Sequence, residues 1–226
     1  MASWHGMLSG MLSLLAKVLN IVMSFPEERS AFVREHRAGM YSAGQYYVSK
    51  ILVELPFQIA FPVIFCAIIV PPLRLQGRIW IFMAMVTILN NVGQAMGTLL
   101  GCSFKSKEVA MQFLPLVILP VMIFGGLFVN LDSVPVWLRW MQYCSPVRWS
   151  FNAMMREELS GLKLVCTPKQ AKPDGSCPFD LGDQILDTMG LQYSILDCLS
   201  ILLGMYAALR LWAFCMILKI TRQMKG

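Results

Sequence analysis

The chain has 226 residues, of which 57% are hydrophobic and only 14% charged, whereas an ordinary globular domain carries about 25% charged side chains. So few charges cannot cover a water-facing surface, which excludes a soluble enzyme, a disordered chain and a nucleic-acid binder. The formal charge of +6 comes from 19 scattered Lys and Arg, a distribution suited to lipid headgroups rather than to a polyanion.

Residues 7–24 form the first expected span, an apolar run whose one clear charge is Lys17 and which closes at Phe25-Pro26. It lacks the basic start and small-residue cleavage site of a signal peptide. The polar stretch 25–54 follows, with alternating charges and then Tyr41, Tyr46 and Tyr47. Its length without Pro or Gly clusters favours an amphipathic helix at the membrane surface over a solvated loop.

Residues 52–72 make the second span, kinked at Pro56 and Pro62 and stopped by Pro71-Pro72. The third, 79–104, is free of charge. Its Gly93, Gly97 and Gly101 recur every four residues, the small-xxx-small spacing that lets another helix approach closely. Asn90, Asn91 and Gln94 in the same span are costly in lipid and are expected to face protein or a cavity.

The fourth span, 109–131, contains Pro115 and Pro120 and ends in GGLFVNL. Segment 134–158 interleaves Trp137, Trp140 and Trp149 with Arg139, Arg148 and Arg156, an aromatic belt fitting re-entrant helices that dip in and return. A polar loop, 160–192, precedes the last span, 193–218, which holds Arg210 and leads into a basic tail. The expected fold is therefore all-α, a polytopic transmembrane helical bundle.

Five spans put the two chain ends on opposite sides. With the tail inside, nine Lys and Arg lie inside and eight outside, so the positive-inside rule favours this orientation only weakly. Loop 160–192 then faces the oxidising side, where Cys166 and Cys177 either close a small loop or stay free thiols. Neither a CxxC nor a Cys/His cluster occurs, and no His/Asp/Glu set converges within the spans, so neither a metal site nor a catalytic set is expected. Glu28, Arg34, Glu35 and Glu54 are candidates for charge pairs near the inner surface, or for a solvated loop face.

The strings FPEERSAFVREHRAGMY…YYVSKILVELP and GGLFVNL…VPVWLRWMQYCSPVRWSFNAMMREEL, in that order, resemble the membrane domain of ABCG-type (White-like) ATP-binding-cassette half-transporters. The resemblance runs from about residue 11 to the C-terminus. It implies a type-2 ABC exporter-like bundle and makes 25–50 a cytoplasmic coupling segment, with Glu28, Arg34, Glu35 and Tyr41 turned to an ATPase domain. Leu127 and Phe128 match a plug between an inner cavity and an outer exit, and Ser13, Ala16, Asn20, Leu119 and Met122 match cavity-facing positions. Ala16 stands where the family's drug exporters can carry an aromatic, so stacking of flat drugs is not expected.

The implied partners are an ABC ATPase domain, a second half-transporter and membrane lipids, with no nucleic acid. ATP and Mg would sit on the ATPase domain and no cofactor on this chain, which has no GxxxxGK[ST] loop. About 20 residues per span leave no room for a domain of about 100 to 200 residues beside them. The ATPase domain and a first span are thus expected outside this sequence, which is either a fragment of an exporter of hydrophobic or amphipathic molecules or a truncated paralogue that scaffolds complete half-transporters.

Overall fold

The computed structural model describes residues 2–73, 78–104, 106–126, 135–162, 181–191 and 193–223. Its helices are α1 (Ala2–Arg37), α2 (Ala43–Leu73), α3 (Ile79–Ser103), α4 (Lys107–Ile123), α5 (Arg139–Cys144), α6 (Pro146–Leu159), α7 (Gly182–Thr188) and α8 (Ile195–Gln223), with a 3-10 turn at Val136–Leu138 before α5. Stretches of α2, α3 and α8 are long and apolar enough to cross a membrane, while Leu12–Ser24 and Glu108–Ile123 are shorter apolar helices. Each of these five segments overlaps one of the five stretches read as spans in the sequence, with different bounds. The protein is an integral membrane helical bundle.

Helix α3 is the centre of the bundle and shares its largest interface with α1, its next largest with α8. The glycine face explains the first of these. A Cβ at Gly93 would lie 3.0 Å from Leu14 Cγ, and one at Gly97 would lie 3.2 Å from the Val18 carbonyl oxygen. Only hydrogen at those positions lets α1 sit this close. Asn90 and Gln94 are buried against protein, as their cost in lipid requires.

The first span does not stop at Phe25-Pro26: α1 runs through both to Arg37. Proline removes one donor, yet a helix held along its length by a neighbour absorbs that loss. The chain turns instead at Gly39 (φ 76°), where Gly39 N donates to His36 O and Met40 N to Glu35 O. This pair of bonds caps the orphan carbonyls of α1 and needs a left-handed residue that glycine supplies without strain. Three residues later Ser42 and Gln45 bond each other's backbone amides reciprocally, fixing the start of α2. Segment 25–50 is thus the end of α1, a tight turn and the start of α2.

Residues 135–158 hold a 3-10 turn and two short helices broken at Ser145. Trp137 and Trp140 are strongly exposed, as a membrane-interface belt requires, whereas every residue from Pro146 to Met155 in α6 is buried, packed on α8 and α3.

Candidate functional site

Three connected features surround the α1–α2 hairpin. The first is a notch of about 330 Å³ at the turn, lined by Glu28, Phe32, Glu35, Tyr41, Tyr46 and Lys50 among others. Phe32 stacks on Tyr46 at 4.3 Å between ring centroids, and Tyr41 stacks on Tyr46 at 6.0 Å. The Tyr41 hydroxyl donates to the Glu35 carboxylate. Loss of hydration, followed by that hydrogen bond and the carboxylate's charge, pushes the Tyr41 phenol up to about 12. Of the four residues expected to couple to an ATPase domain, Glu28, Glu35 and Tyr41 meet in this notch, whereas Arg34 is exposed and does not line it.

The second feature is a charge network climbing from the notch into the bundle. Glu28 of α1 pairs with Lys50 of α2, whose Nζ also lies 3.4 Å from Glu54 Oε1. The other Glu54 oxygen accepts from Gln94 Nε2 of α3 at 2.6 Å and from Gln58 Nε2 at 3.2 Å. Arg210 of α8 approaches the same oxygen at 3.9 Å, an ion pair rather than a hydrogen bond, and its guanidinium lies 5.3 Å from the Tyr206 ring centroid. The Tyr47 hydroxyl donates to the Arg210 carbonyl at 2.7 Å. One carboxylate therefore ties α2, α3 and α8 together, and Lys50 extends the tie to α1. In a membrane interior, where few solvent dipoles screen charge, such ties are stiff.

The third feature is a cavity of about 510 Å³ between α1, α2 and α3. Ser13, Ala16, Lys17 and Asn20 form one wall, the Phe61–Ile68 stretch of α2 the other, and Asn90 the end. Asn90 Nδ2 donates to Ser13 Oγ at 3.0 Å, and the Lys17 ammonium sits 5.0 Å from the Phe61 ring centroid. The structure thus brings together three of the expected cavity residues, Ser13, Ala16 and Asn20. It does not bring Leu119 or Met122 to them: Leu119 is 56% exposed on the outward face of α4, and Met122 is half-buried against the core. Leu127, Phe128, Cys166 and Cys177 lie outside the described residues.

The sequence reading placed neither Lys17 nor Phe61 in a cavity, and it did not pair Lys50 with Glu28. The available signal was a cation inside an apolar run, since such a residue faces protein or a cavity by default. Its partner was not readable, because Phe61 is 44 positions away along the chain.

The described residues thus form a membrane bundle with a charged hairpin at one end and an amphipathic cavity between three of its helices. Residues 2–159 match the family model described as ABC-2 type transporter, and the chain belongs to that family. It is 33% identical over 201 residues to protein scarlet of Drosophila melanogaster, covering 87% of this chain and 29% of that protein. To protein white of the same fly it is 32% identical over 171 residues, 73% of this chain and 24% of that protein. To ABC transporter G family member 7 of Arabidopsis thaliana it is 37% identical over 152 residues, 66% of this chain and 21% of that protein. The chain spans less than a third of the length of these relatives, and what it matches in them is membrane domain.

Proposed function

We propose that the chain is the membrane-spanning part of an ATP-driven exporter of hydrophobic or amphipathic molecules, lipids and sterols among them. It works paired with a second half-transporter, and ATP with Mg is held by ATPase domains at the cytoplasmic face. The observation that carries this reading is the charge network. A push on the α1–α2 turn, where Glu28, Glu35 and Tyr41 meet, moves two helix ends joined by a short stiff turn. Through Lys50 and Glu54 that displacement reaches Gln94 in α3 and Arg210 in α8. A soft, unpaired hairpin would dissipate it.

In this scheme cargo enters the cavity by Ser13, Ala16 and Asn20 and leaves past a plug at Leu127 and Phe128. Two bulky apolar side chains after Gly125-Gly126 suit a constriction that excludes water. Cargo leaves only if the outward state binds it less tightly than the inward state, since a ligand favours one state solely through differential affinity.

The test is the assembled transporter, this chain together with its ATPase domain, in proteoliposomes with a fluorescent phospholipid as cargo. ATP-dependent movement is expected, with Glu54→Gln retaining ATP hydrolysis but losing most movement per ATP. Absence of any ATP-dependent movement rejects the exporter reading. Wild-type rates and coupling in both Leu127→Ala and Phe128→Ala reject the plug.

A further inference from the structure

The cavity between α1, α2 and α3 is apolar along most of its wall, yet one ammonium stands in it. Lys17 is eight residues before Phe25 in the sequence, about 12 Å deeper along the helix at 1.5 Å per residue, and it is half-buried. A cation at that depth needs a counter-charge or a strongly polar neighbour. Among the described residues no carboxylate forms an ion pair with Lys17. Lys50 is matched by Glu28 and Arg210 by Glu54, and Glu54, the electrostatic neighbour of Lys17, is already shared with Lys50, Gln58 and Gln94. The contact found for Lys17 is the face of Phe61, which offers a weaker attraction than an anion.

A second polar atom points to a ligand independently. Asn90 is 3% exposed and lines the same cavity. Its amide nitrogen is used by Ser13 Oγ and the Val86 carbonyl, while its side-chain oxygen is buried with no hydrogen-bond partner. A buried acceptor without a donor is costly, and a ligand carrying an N–H or O–H relieves that cost.

We propose that this cavity binds a single-chain amphiphile with an anionic head and a hydrogen-bond donor beside it, the anion on Lys17, the donor toward Asn90 and the tail along the Phe61–Ile68 wall. The inference rests on the exporter reading only in that it names the class of cargo; binding itself requires neither ATP nor a partner. Asn20 and Ser13 supply further polar contacts around the head, and Phe65 and Ile68 supply apolar surface for the tail. A neutral sterol would leave Lys17 without a counter-charge.

The matched probes are radiolabelled N-oleoylglycine and N-oleoylethanolamine, which share an acyl chain and an amide N–H and differ in whether the head is a carboxylate or a neutral hydroxyl. Equilibrium binding is measured on the full chain in phosphatidylcholine nanodiscs. The wild type is expected to prefer the glycine conjugate by about tenfold, the size of one charge-assisted hydrogen bond. Lys17→Gln should remove that preference, and Lys17→Arg should retain it. Ala16→Phe, which fills the cavity from an exposed position and leaves the charge in place, should weaken both probes together. Equal binding of the two probes by the wild type, or an undiminished preference in Lys17→Gln, overturns the assignment of an anion. Unchanged binding of both probes in Ala16→Phe overturns the assignment of the cavity. Each of these outcomes leaves ATP-driven lipid movement by the assembled transporter to stand or fall separately.

Discussion

Helices α2 and α3 are both long, apolar and able to cross a membrane, yet they occupy opposite situations. In α2, the more apolar of the two, 17% of the span is buried within the protein, against 44% in α3. In a water-soluble protein that order would be reversed, because apolar surface seeks the interior. Lipid removes this incentive, since hydrocarbon tails are as apolar as leucine. What draws a helix inward is a close approach or a satisfied polar group. Helix α3 has both, with Gly93 and Gly97 against α1 and Gln94 on Glu54. Helix α2 turns Leu52, Phe57 and Ile59 outward and touches the bundle along a narrow seam that includes Tyr47, Gln58, Cys66 and Val70.

The comparison breaks first where α3 is tightest. Gly97→Leu inserts a side chain where even a Cβ lies 3.1 Å from Ile21 Cβ and 3.2 Å from the Val18 carbonyl, and it should cost about 3 kcal/mol in thermal unfolding of the detergent-solubilised chain. Glu54→Ala is expected next. It removes the shared partner of Lys50, Gln94 and Arg210, and the loss should be about 2 kcal/mol, reduced from the fully buried case because the carboxylate is 26% exposed. Comparing Glu54→Ala with Arg210→Ala and the double variant in one cycle separates the ion pair from the rest of the network.

Tyr41→Phe probes how far a poorly buried α2 depends on the anchor before its first turn, with an expected cost of about 1 kcal/mol for the bond to Glu35. Its pH dependence has a definite sign. Because the folded phenol is raised from 10.0 to about 12, its contribution is complete below about pH 10 and fades as pH rises through about 12. The stability gap between wild type and Tyr41→Phe should therefore narrow across that window, and phenolate absorbance should appear later in the folded chain than in the unfolded one. The smallest effect belongs to the lipid face: Leu52→Ala, 65% exposed, should change stability by less than about 0.5 kcal/mol. A large loss there would mean that another protein surface covers α2.

The all-α membrane fold, the glycine face and the inward placement of Asn90 and Gln94 were legible because each is a local property, written as composition or as spacing along one helix. The continuation of α1 past Pro26 was less so: a proline announces a missing hydrogen bond, but whether the helix survives it depends on what packs alongside. The true stop, at Gly39, was readable in retrospect from the capping bonds that glycine permits there. The grouping of side chains was hardest to foresee. Ser13, Ala16 and Asn20 share a helix face and so stayed together, whereas Leu119 sits on a helix whose outward rotation is decided by contacts of Leu114 and Ile118 with the core. The partnership of residues 28, 50, 54, 94 and 210 follows from helix arrangement, and no periodicity encodes it.

The pairing of Glu54 with Arg210 also bears on how the protein is made. Synthesis delivers α2 to the bilayer well before α8, whose arginine at mid-helix opposes partition into lipid by about 2.5–3.5 kcal/mol. A carboxylate already in place offsets part of that penalty, and the hydroxyl of Tyr47 binds the backbone of the same arginine. Insertion of α8 is therefore eased by a side chain of a helix made before it.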